Sequence, residues 1–247
     1  MPEKKLRILG VTPARGGSKG IKRKNVKPLF GRPLLAYTVV AALKSKFLTD
    51  IAVSSEDDEI LEAARFYGAQ TVKRPDELAQ DHIPSVPVIE HAIAEMEERT
   101  GAPYDVVILL QATTPLRTTE DIDTALQKLI ETDADCVISV VPTPGVNPEW
   151  MKYIEDDTLV DYDSSLKDMG TRQSMGQIYI RNGCIYAARK EVFLKYRSFK
   201  CPATRPYIMD AQLWVNIDSQ RDWILAEAIM AKMNWDHIPL WNGGTQQ

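Results

Sequence analysis

The stretch PARGGSKGIKRKNVKP, residues 13–28, carries six cations (Arg15, Lys19, Lys22, Arg23, Lys24 and Lys27) and no acid. At the chain-wide frequency of 30 Lys and Arg in 247 residues, a window of this length would hold about two. The surplus sits in a chain whose formal net charge is −4. Gly16, Gly17 and Gly20 punctuate the run, so the backbone can turn sharply and bring N–H groups close to a ligand. Such a turn, backed by full positive charges, is a nest for anions, and a polyphosphate suits it better than a carboxylate does. The run is not a Walker A loop, because GGSKG lacks the GK[ST] ending, and it is not GxGxxG. No aromatic residue is interleaved to stack bases, which argues against nucleic acid. A solvated basic loop is the plain alternative.

These residues need elements to position them. Residues 6–12 (LRILGVT) form an apolar run that stops at Pro13 and reads as a buried strand. A helix is expected over 33–46, with Pro33 in its first turn. DIAVSS (50–55) reads as a second strand, and Ser55 as the cap of a helix over 56–67 that Gly68 ends. A short strand near 70–73, the loop RPDELAQD (74–81) and a helix over 85–99 follow. VVILL (106–110) is the signature of a strand buried on both faces. Thr119 can cap a helix over 120–132, and CVISVV (136–141) is another buried strand. This alternation predicts a mostly parallel sheet with helices on both faces. Right-handed crossovers then bring the loops 13–28, 54–58 and 111–118 to the sheet's carboxyl edge, where open α/β sheets bind ligands.

From 142 to about 180 the rhythm changes. Prolines at 142, 144 and 148 break the chain, MKYIEDDTLVDY (151–162) reads as a hairpin turned at Asp156-Asp157, and 163–177 is polar and irregular. An inserted arm is expected here, a common place for a dimer contact. CIYAA (184–188) resumes the strand pattern, VNID (215–218) reads as a strand end, and a final helix is expected over about 220–233. The whole chain, 1–247, reads as one domain carrying that arm.

At the basic loop the sequence resembles the N-acylneuraminate (nonulosonic acid) cytidylyltransferases, the CMP-sialic acid synthetase family. ARGGSKGIKRKN, RPDELAQD, LLQATTPLR (109–117), RQ (172–173) followed by IRNGCIY (180–186), and NIDSQRDW (216–223) stand in that family's order and at similar spacing. Together they span residue 6 to about 233. The resemblance implies a Rossmann-like nucleotidyltransferase fold, a homodimer, CTP as donor, an acidic keto-sugar as acceptor and Mg²⁺ as cofactor. It places Arg15, Gly16, Gly17, Ser18, Lys19 and Lys24 around the CTP phosphates, with Asn25 closing the motif. Arg74 and Ser85 match positions lining the cytidine pocket, and Asn182 a nucleotide-binding asparagine. Gln111 and Arg172 match acceptor contacts, and Asp218 a Mg²⁺ ligand. The family commonly has a second carboxylate where this chain has Asn216, an amide that can ligate Mg²⁺ through oxygen but brings no charge.

Elementary chemistry runs alongside. Nucleotidyl transfer needs a neutralised triphosphate, a metal to polarise the α-phosphate and an oriented hydroxyl. The 13–28 loop, with Arg15 and Lys24 at its head, meets the first need. Asp218 meets part of the second, since Mg²⁺ takes few carboxylates alongside phosphate oxygens and water. Asp218 also stands where the last helix needs a cap. The fork of Arg172 suits a carboxylate, and Arg117 reads first as a residue that orders its own loop. No residue stands out as a dedicated base, so the hydroxyl's proton goes to water or leaves with metal assistance. The reaction expected is transfer of CMP from CTP to the anomeric hydroxyl of a sialic, legionaminic or pseudaminic type acid. The alternatives are a Kdo-type octulosonic acid or phosphonate acceptor, or an inactive nucleotide-binding relative.

Composition bounds the rest. With 44% hydrophobic and 26% charged residues the chain is of globular type. No run of about 18 apolar residues is present to span a membrane, and the N-terminus lacks the apolar core of a secretory signal. Cys136, Cys184 and Cys201 are an odd set without CxxC spacing, so no disulfide framework or zinc site is expected and the cytoplasm is the expected compartment.

Overall fold

The computed structural model describes residues 5–143, 148–165 and 176–241, so Arg172 lies outside the described residues. The run ILGVTP forms β1 (Ile8–Pro13), and a hairpin of two-residue strands, β2 (Pro28–Leu29) and β3 (Arg32–Pro33), closes the loop after it. The alternation continues through α1 (Leu34–Leu43), β4 (Asp50–Ser55), α2 (Asp58–Phe66), β5 (Gln70–Lys73), α3 (Ser85–Thr100), β6 (Val106–Leu110), α4 (Thr119–Glu131) and β7 (Cys136–Pro142). The hairpin of β8 (Lys152–Glu155) and β9 (Thr158–Asp161) comes next. β10 (Tyr179–Arg189), α5 (Lys190–Tyr196), β11 (Thr204–Ile208) and α6 (Gln220–Met230) complete the described elements.

Seven strands share one sheet in the order β11-β7-β10-β6-β1-β4-β5. β1 is parallel to β4 and β6, β4 to β5, and β7 to β11, while β10 runs against β6 and β7. Successive side chains of a strand point to opposite faces. Val106, Ile108 and Leu110 therefore join the core under α1, α2, α4 and α6, whereas Val107 and Leu109 join the core under α3 and α5. Helices on both faces explain why VVILL is apolar without alternation. The parallel strands send the chain out of β1, β4 and β6 at the same edge, where Ala14 N–H donates to Ser54 O (2.9 Å) and Arg74 N–H to Ser55 O (3.1 Å).

Several local expectations need correction. Ser55 does not cap α2. Asp57 does, accepting from the N–H groups of Glu59 and Ile60, while Ser55 Oγ accepts from Asp57 N–H. Thr118, not Thr119, caps α4, in a reciprocal box with Asp121. α1 begins at Leu34, with Pro33 just before it. VNID is not a strand end but a loop pinned by Ile217 N–H donating to Thr113 O (2.8 Å). β11, over TRPYI, has no strand signal because Pro206 lacks an N–H, a lack the outermost strand of a sheet tolerates. Cys136 and Cys201, where no disulfide framework was expected, are joined in a disulfide across 65 positions, since β11 lies parallel against β7. Cys184 is the buried free cysteine, and burial pushes its thiol up to about 11. The 151–162 hairpin is as expected. Asp156 and Asp157 take φ of 47° and 60°, the left-handed pair of a tight hairpin turn.

Candidate active site

The loop after β1 lines a cavity of about 640 Å³ at the carboxyl edge of the sheet. Of the residues singled out from sequence, Arg15, Ser18, Lys19, Lys24, Asn25, Arg74, Ser85, Gln111, Asn216 and Asp218 all border it. Asn25 is buried and donates its side-chain amide to Arg15 O (2.9 Å), so it fixes the curvature of the loop. Ser85 is the first residue of α3, beside a helix N-terminus that favours negative charge. The loop lies directly on Asp218. A Cβ at Gly20 would stand 2.0 Å from Asp218 O, so no side chain fits there without moving the 216–218 segment.

The cations are not bare. Arg15 and Lys19 both bind Asp81, Lys19 at 2.5 Å. Arg23 takes Asp57 at 2.8 and 3.1 Å and also reaches Glu59. Lys24 Nζ donates to Asp218 Oδ1 (2.8 Å) and Ile217 O (2.6 Å), and Lys27 lies 4.3 Å over the ring of Trp223. Gly16 N–H, a donor expected for phosphate, instead donates to Glu56 Oε1 (2.7 Å). Glu56 Oε2 accepts a forked pair from the buried Arg74 (2.8 and 3.1 Å), which anchors that side chain in the wall. The consequence is electrostatic. The hydrogen bond from Lys19, then that from Arg15, holds the Asp81 carboxyl below the usual carboxylate range, and Arg23 does the same for Asp57.

Asp218 is free of capping duty. Ser219 caps α6 in a box with Asp222, and Asp222 Oδ2 also accepts from Asp218 N–H (3.1 Å). The Asp218 carboxylate therefore faces the cavity, held by Lys24 on Oδ1 and by Asn216 Nδ2 on Oδ2 (2.8 Å). Asn216 Oδ1 is buried without a hydrogen-bond partner. The Asp218 carboxylate fits Mg²⁺, which draws most of its six oxygens from phosphates and water, whereas Asn216 would have to turn its amide over to add its oxygen. Among the described residues no cluster of three His, Cys, Asp or Glu offers an all-protein metal cage.

A second cavity, of about 520 Å³, adjoins the first, and Gln111 and Asn216 line both. Gly183, at φ 78°, brings β10 close to Gln111, and a Cβ there would meet Gln111 Oε1 at 3.0 Å. Asn182, expected to bind nucleotide, lines this second cavity and does not border the first. Its amide is spent inward: Oδ1 accepts from Ser139 Oγ (2.6 Å) and Cys184 N–H (3.2 Å), and Nδ2 points at Met209 Sδ. Arg117 is buried and donates to Gln111 O, Thr114 Oγ1, Cys184 O and Thr38 Oγ1. It holds the 111–117 loop, as expected, and burial pulls it down to about 10. Sequence reasoning gave no role to Glu56, Asp81 or Arg181. The position of Glu56 just after a parallel strand was an available signal, since that is where this edge collects its polar groups.

A family model described as cytidylyltransferase matches residues 9–219. Among curated proteins, the chain is 32% identical over 227 residues to a CMP-N,N'-diacetyllegionaminic acid synthase of Legionella pneumophila, covering 91% of this chain and 97% of that one. It is 31% identical over 229 residues to the post-translational flagellin modification protein B of Campylobacter coli, covering 92% and 96%. An N-acylneuraminate cytidylyltransferase of Escherichia coli is 33% identical over 241 residues, which is 95% of this chain but 55% of that protein, so the chain spans about half its length. Among solved structures, CMP:2-keto-3-deoxy-manno-octonic acid synthetase complexed with CTP superposes with a TM-score of 0.66 at 16% identity, covering 92% of this chain and 99% of that one. A 4-diphosphocytidyl-2C-methyl-D-erythritol synthase from Anaerococcus prevotii gives 0.61 at 16% identity, covering 92% and 97%. At those identities the two structures speak to the fold.

Proposed function

The chain belongs to the cytidylyltransferase family, and we propose that it transfers CMP from CTP to the anomeric hydroxyl of a nonulosonic acid with release of pyrophosphate. One observation carries this reading. The cationic loop after β1 and the Asn216–Asp218 segment, nearly 200 positions apart, meet in one cavity through Lys24 and the bare backbone of Gly20. The relatives named for legionaminic, pseudaminic and N-acylneuraminic acids point to a nine-carbon acid as acceptor. The octulosonic acid alternative has only a fold likeness at 16% identity behind it.

In this reading Arg15, Lys19 and Lys24 bind the triphosphate, exchanging internal carboxylates for phosphate oxygens. Arg74, held by Glu56, and Ser85 border the nucleoside end. Gln111 stands at the junction of the two cavities, where the acceptor hydroxyl meets the α-phosphorus. The hydroxyl oxygen bonds to that phosphorus, the bond to the β-phosphate oxygen breaks, pyrophosphate leaves and the hydroxyl proton passes to water. Bound Mg²⁺ would supply charge neutralisation and polarisation of the α-phosphate, held by Asp218 and by Asn216 once its amide turns over. An asparagine in place of a second carboxylate is the one feature favouring an inactive relative, and its amide here turns N–H₂, not oxygen, toward Asp218.

The arm suits a second copy of this chain. Ile154 is 77% exposed and Leu159 71%, paired across one face of the hairpin, and Tyr153 and Tyr162 are exposed in ring contact on the other. Apolar surface of this kind marks an interaction site. No helix of the described residues is long and apolar enough to cross a membrane. The cytoplasm, where CTP is made, is the proposed compartment, although a Cys136–Cys201 bridge is unusual there. The test is pyrophosphate release with sialic, legionaminic and pseudaminic acids, each with all four nucleoside triphosphates and with or without Mg²⁺. Release with CTP and one of these acids, dependent on Mg²⁺, is expected from a species of twice 27.8 kDa by light scattering. No release with any pair would overturn the function, and a monomer would remove the dimer.

A further inference from the structure

Asp218 faces the phosphate cavity with a donor already on each of its carboxylate oxygens. Lys24 Nζ donates to Oδ1 (2.8 Å) and Asn216 Nδ2 to Oδ2 (2.8 Å). The same ammonium donates to Ile217 O (2.6 Å), so one cation is seated between a carboxylate oxygen and a backbone carbonyl. Oxygens of these two kinds are also what a hard metal cation takes. The seat is fixed from both sides. Ile217 N–H is pinned to Thr113 O (2.8 Å), which sets the carbonyl and the carboxylate in place. On the loop, Val26 N–H donates to Arg23 O (3.1 Å) and Lys27 N–H to Lys24 O (3.3 Å), a tight turn that fixes the root of Lys24. Asp218 stays open to an incoming ligand, with 65% of its side chain exposed. The surroundings disfavour a free dication. Arg15, Lys19 and Lys24 line the cavity against Asp81 and Asp218, three cations to two acids, and Arg74 is matched by Glu56 behind it.

We propose that Lys24 is a stand-in for the divalent cation: its ammonium neutralises Asp218 in the nucleotide-free protein and keeps free metal out until CTP draws it away. The inference rests on the metal role of Asp218 proposed above. A dication approaching Asp218 alone would meet the ammonium on the same oxygen, with no further anion to offset the added charge. CTP changes that balance. Its phosphate oxygens take the ammonium in charge-assisted hydrogen bonds, and they carry more charge than one carboxylate does. Asp218 then loses its counter-ion as the phosphates bring metal-binding oxygens beside it. Carboxylate and triphosphate together make an oxygen set for Mg²⁺ that Asp218 does not make by itself. Asn216 is part of the device. With an amide there, the segment brings one formal negative charge and Lys24 cancels it. A second carboxylate would leave a charge over, and that charge would draw free metal. The exchange sets an order of binding in which metal enters with the nucleotide or after it.

The experiment uses the full chain without nucleotide and Mn²⁺ alone as the probe, free ion being counted by its electron paramagnetic resonance signal. Lys24→Met is expected to bind Mn²⁺ about 5- to 20-fold more tightly than wild type, the scale of removing a unit charge about 5 Å from a dication in a watery cavity. Lys24→Arg keeps the charge and should bind the ion as weakly as wild type. Adding Asp218→Asn to Lys24→Met should abolish the gain, which assigns the ion to Asp218. Equal Mn²⁺ binding by wild type and Lys24→Met, whether both bind or neither does, would overturn the proposal. A gain that survives Asp218→Asn would overturn it too. Thermal melts check the fold, and Lys24→Gln, with a polar head, repeats the comparison if methionine in that seat lowers the melt. Mn²⁺ binding is read without turnover. A wild type releasing no pyrophosphate with any of the acids sinks the reaction itself, an outcome separate from Mn²⁺ binding that is the same with and without Lys24.

Discussion

The two cavities share Gln111 and Asn216 and spend their charge in opposite ways. Around the phosphate cavity five acids (Glu56, Asp57, Glu59, Asp81 and Asp218) hold the cationic loop to the sheet edge. Six like charges in one loop repel, and carboxylates brought from three other segments offset that repulsion without any ligand. In the second cavity Arg181 stands open and the Asn216 oxygen has no partner. The difference follows from the ligands each side would take. A triphosphate brings about four negative charges and can displace internal carboxylates, whereas a single carboxylate competes poorly with an ion pair already formed. The phosphate side can afford to be pre-paired and the acceptor side cannot.

Removing the linchpin of the paired side should have the largest effect. Lys24 joins the loop to Asp218, and its side chain is 13% exposed against 35% for Arg15 and 78% for Lys19. Lys24→Ala is expected to lower kcat with CTP by about 10²- to 10³-fold, the cost of losing one preorganised charge at a developing anion. A thermal melt close to wild type would show that the fold survives. Turnover that stays the same would take the loop out of the mechanism and reduce its pairing to loop stabilisation.

Asn216 belongs to both cavities, so changing it sharpens the comparison. Asn216→Asp adds a carboxylate beside Asp218 and removes the amide N–H that now donates to it. Site charge tunes affinity for hard cations. The Mg²⁺ concentration for half-maximal pyrophosphate release is expected to fall by about 3- to 10-fold, and an unchanged Mg²⁺ profile would take Asn216 out of the metal site.

How far these cavities can be read in sequence depends on distance along the chain. Arg15, Lys24, Arg74 and Gln111 each follow a recognisable strand, and the rule that parallel strands deliver their loops to one edge brings them together without coordinates, whereas Asp218 follows no strand and reaches that edge through a loop pinned on Thr113. Their partners are another matter. Glu56 is 40 positions from Gly16, Asp81 is 66 from Arg15, and Asp218 is 194 from Lys24. Nothing local in an acidic residue says which cation it will meet. Asn182 has the look of a ligand residue, yet its amide is consumed by Ser139 and Cys184, because the β10 bulge turns it inward and leaves Arg181 facing the cavity. A bulge of that kind has no signature in a single sequence. The cap errors at Ser55 and Thr119 are different: several Ser, Thr and Asp residues stood at each helix start, and the final choice followed the path of the preceding loop.

Asp81 offers the smallest effect and the most direct look at the pre-pairing. It is exposed, and it holds Arg15 and Lys19 together across the mouth of the phosphate cavity. Phosphate oxygens must replace it for either cation to reach CTP. Asp81→Asn frees both, so KM for CTP should fall by about two- to fivefold, the scale of an exposed ion pair, with kcat unchanged. A rise in KM would mean that Asp81 orders the cations for the nucleotide and does not compete with it. The pH dependence separates this from general charge effects. Lys19 foremost, with Arg15, lowers the Asp81 carboxyl in the folded chain. The clasp is therefore fully present above the ordinary aspartate value of about 3.9 and is lost only as pH falls through the lowered folded value. From about pH 5 to 8 the ratio of the two CTP KM values should stay flat, since Asp81 is ionised throughout. A ratio that drifts within that window would assign the effect to a group other than Asp81.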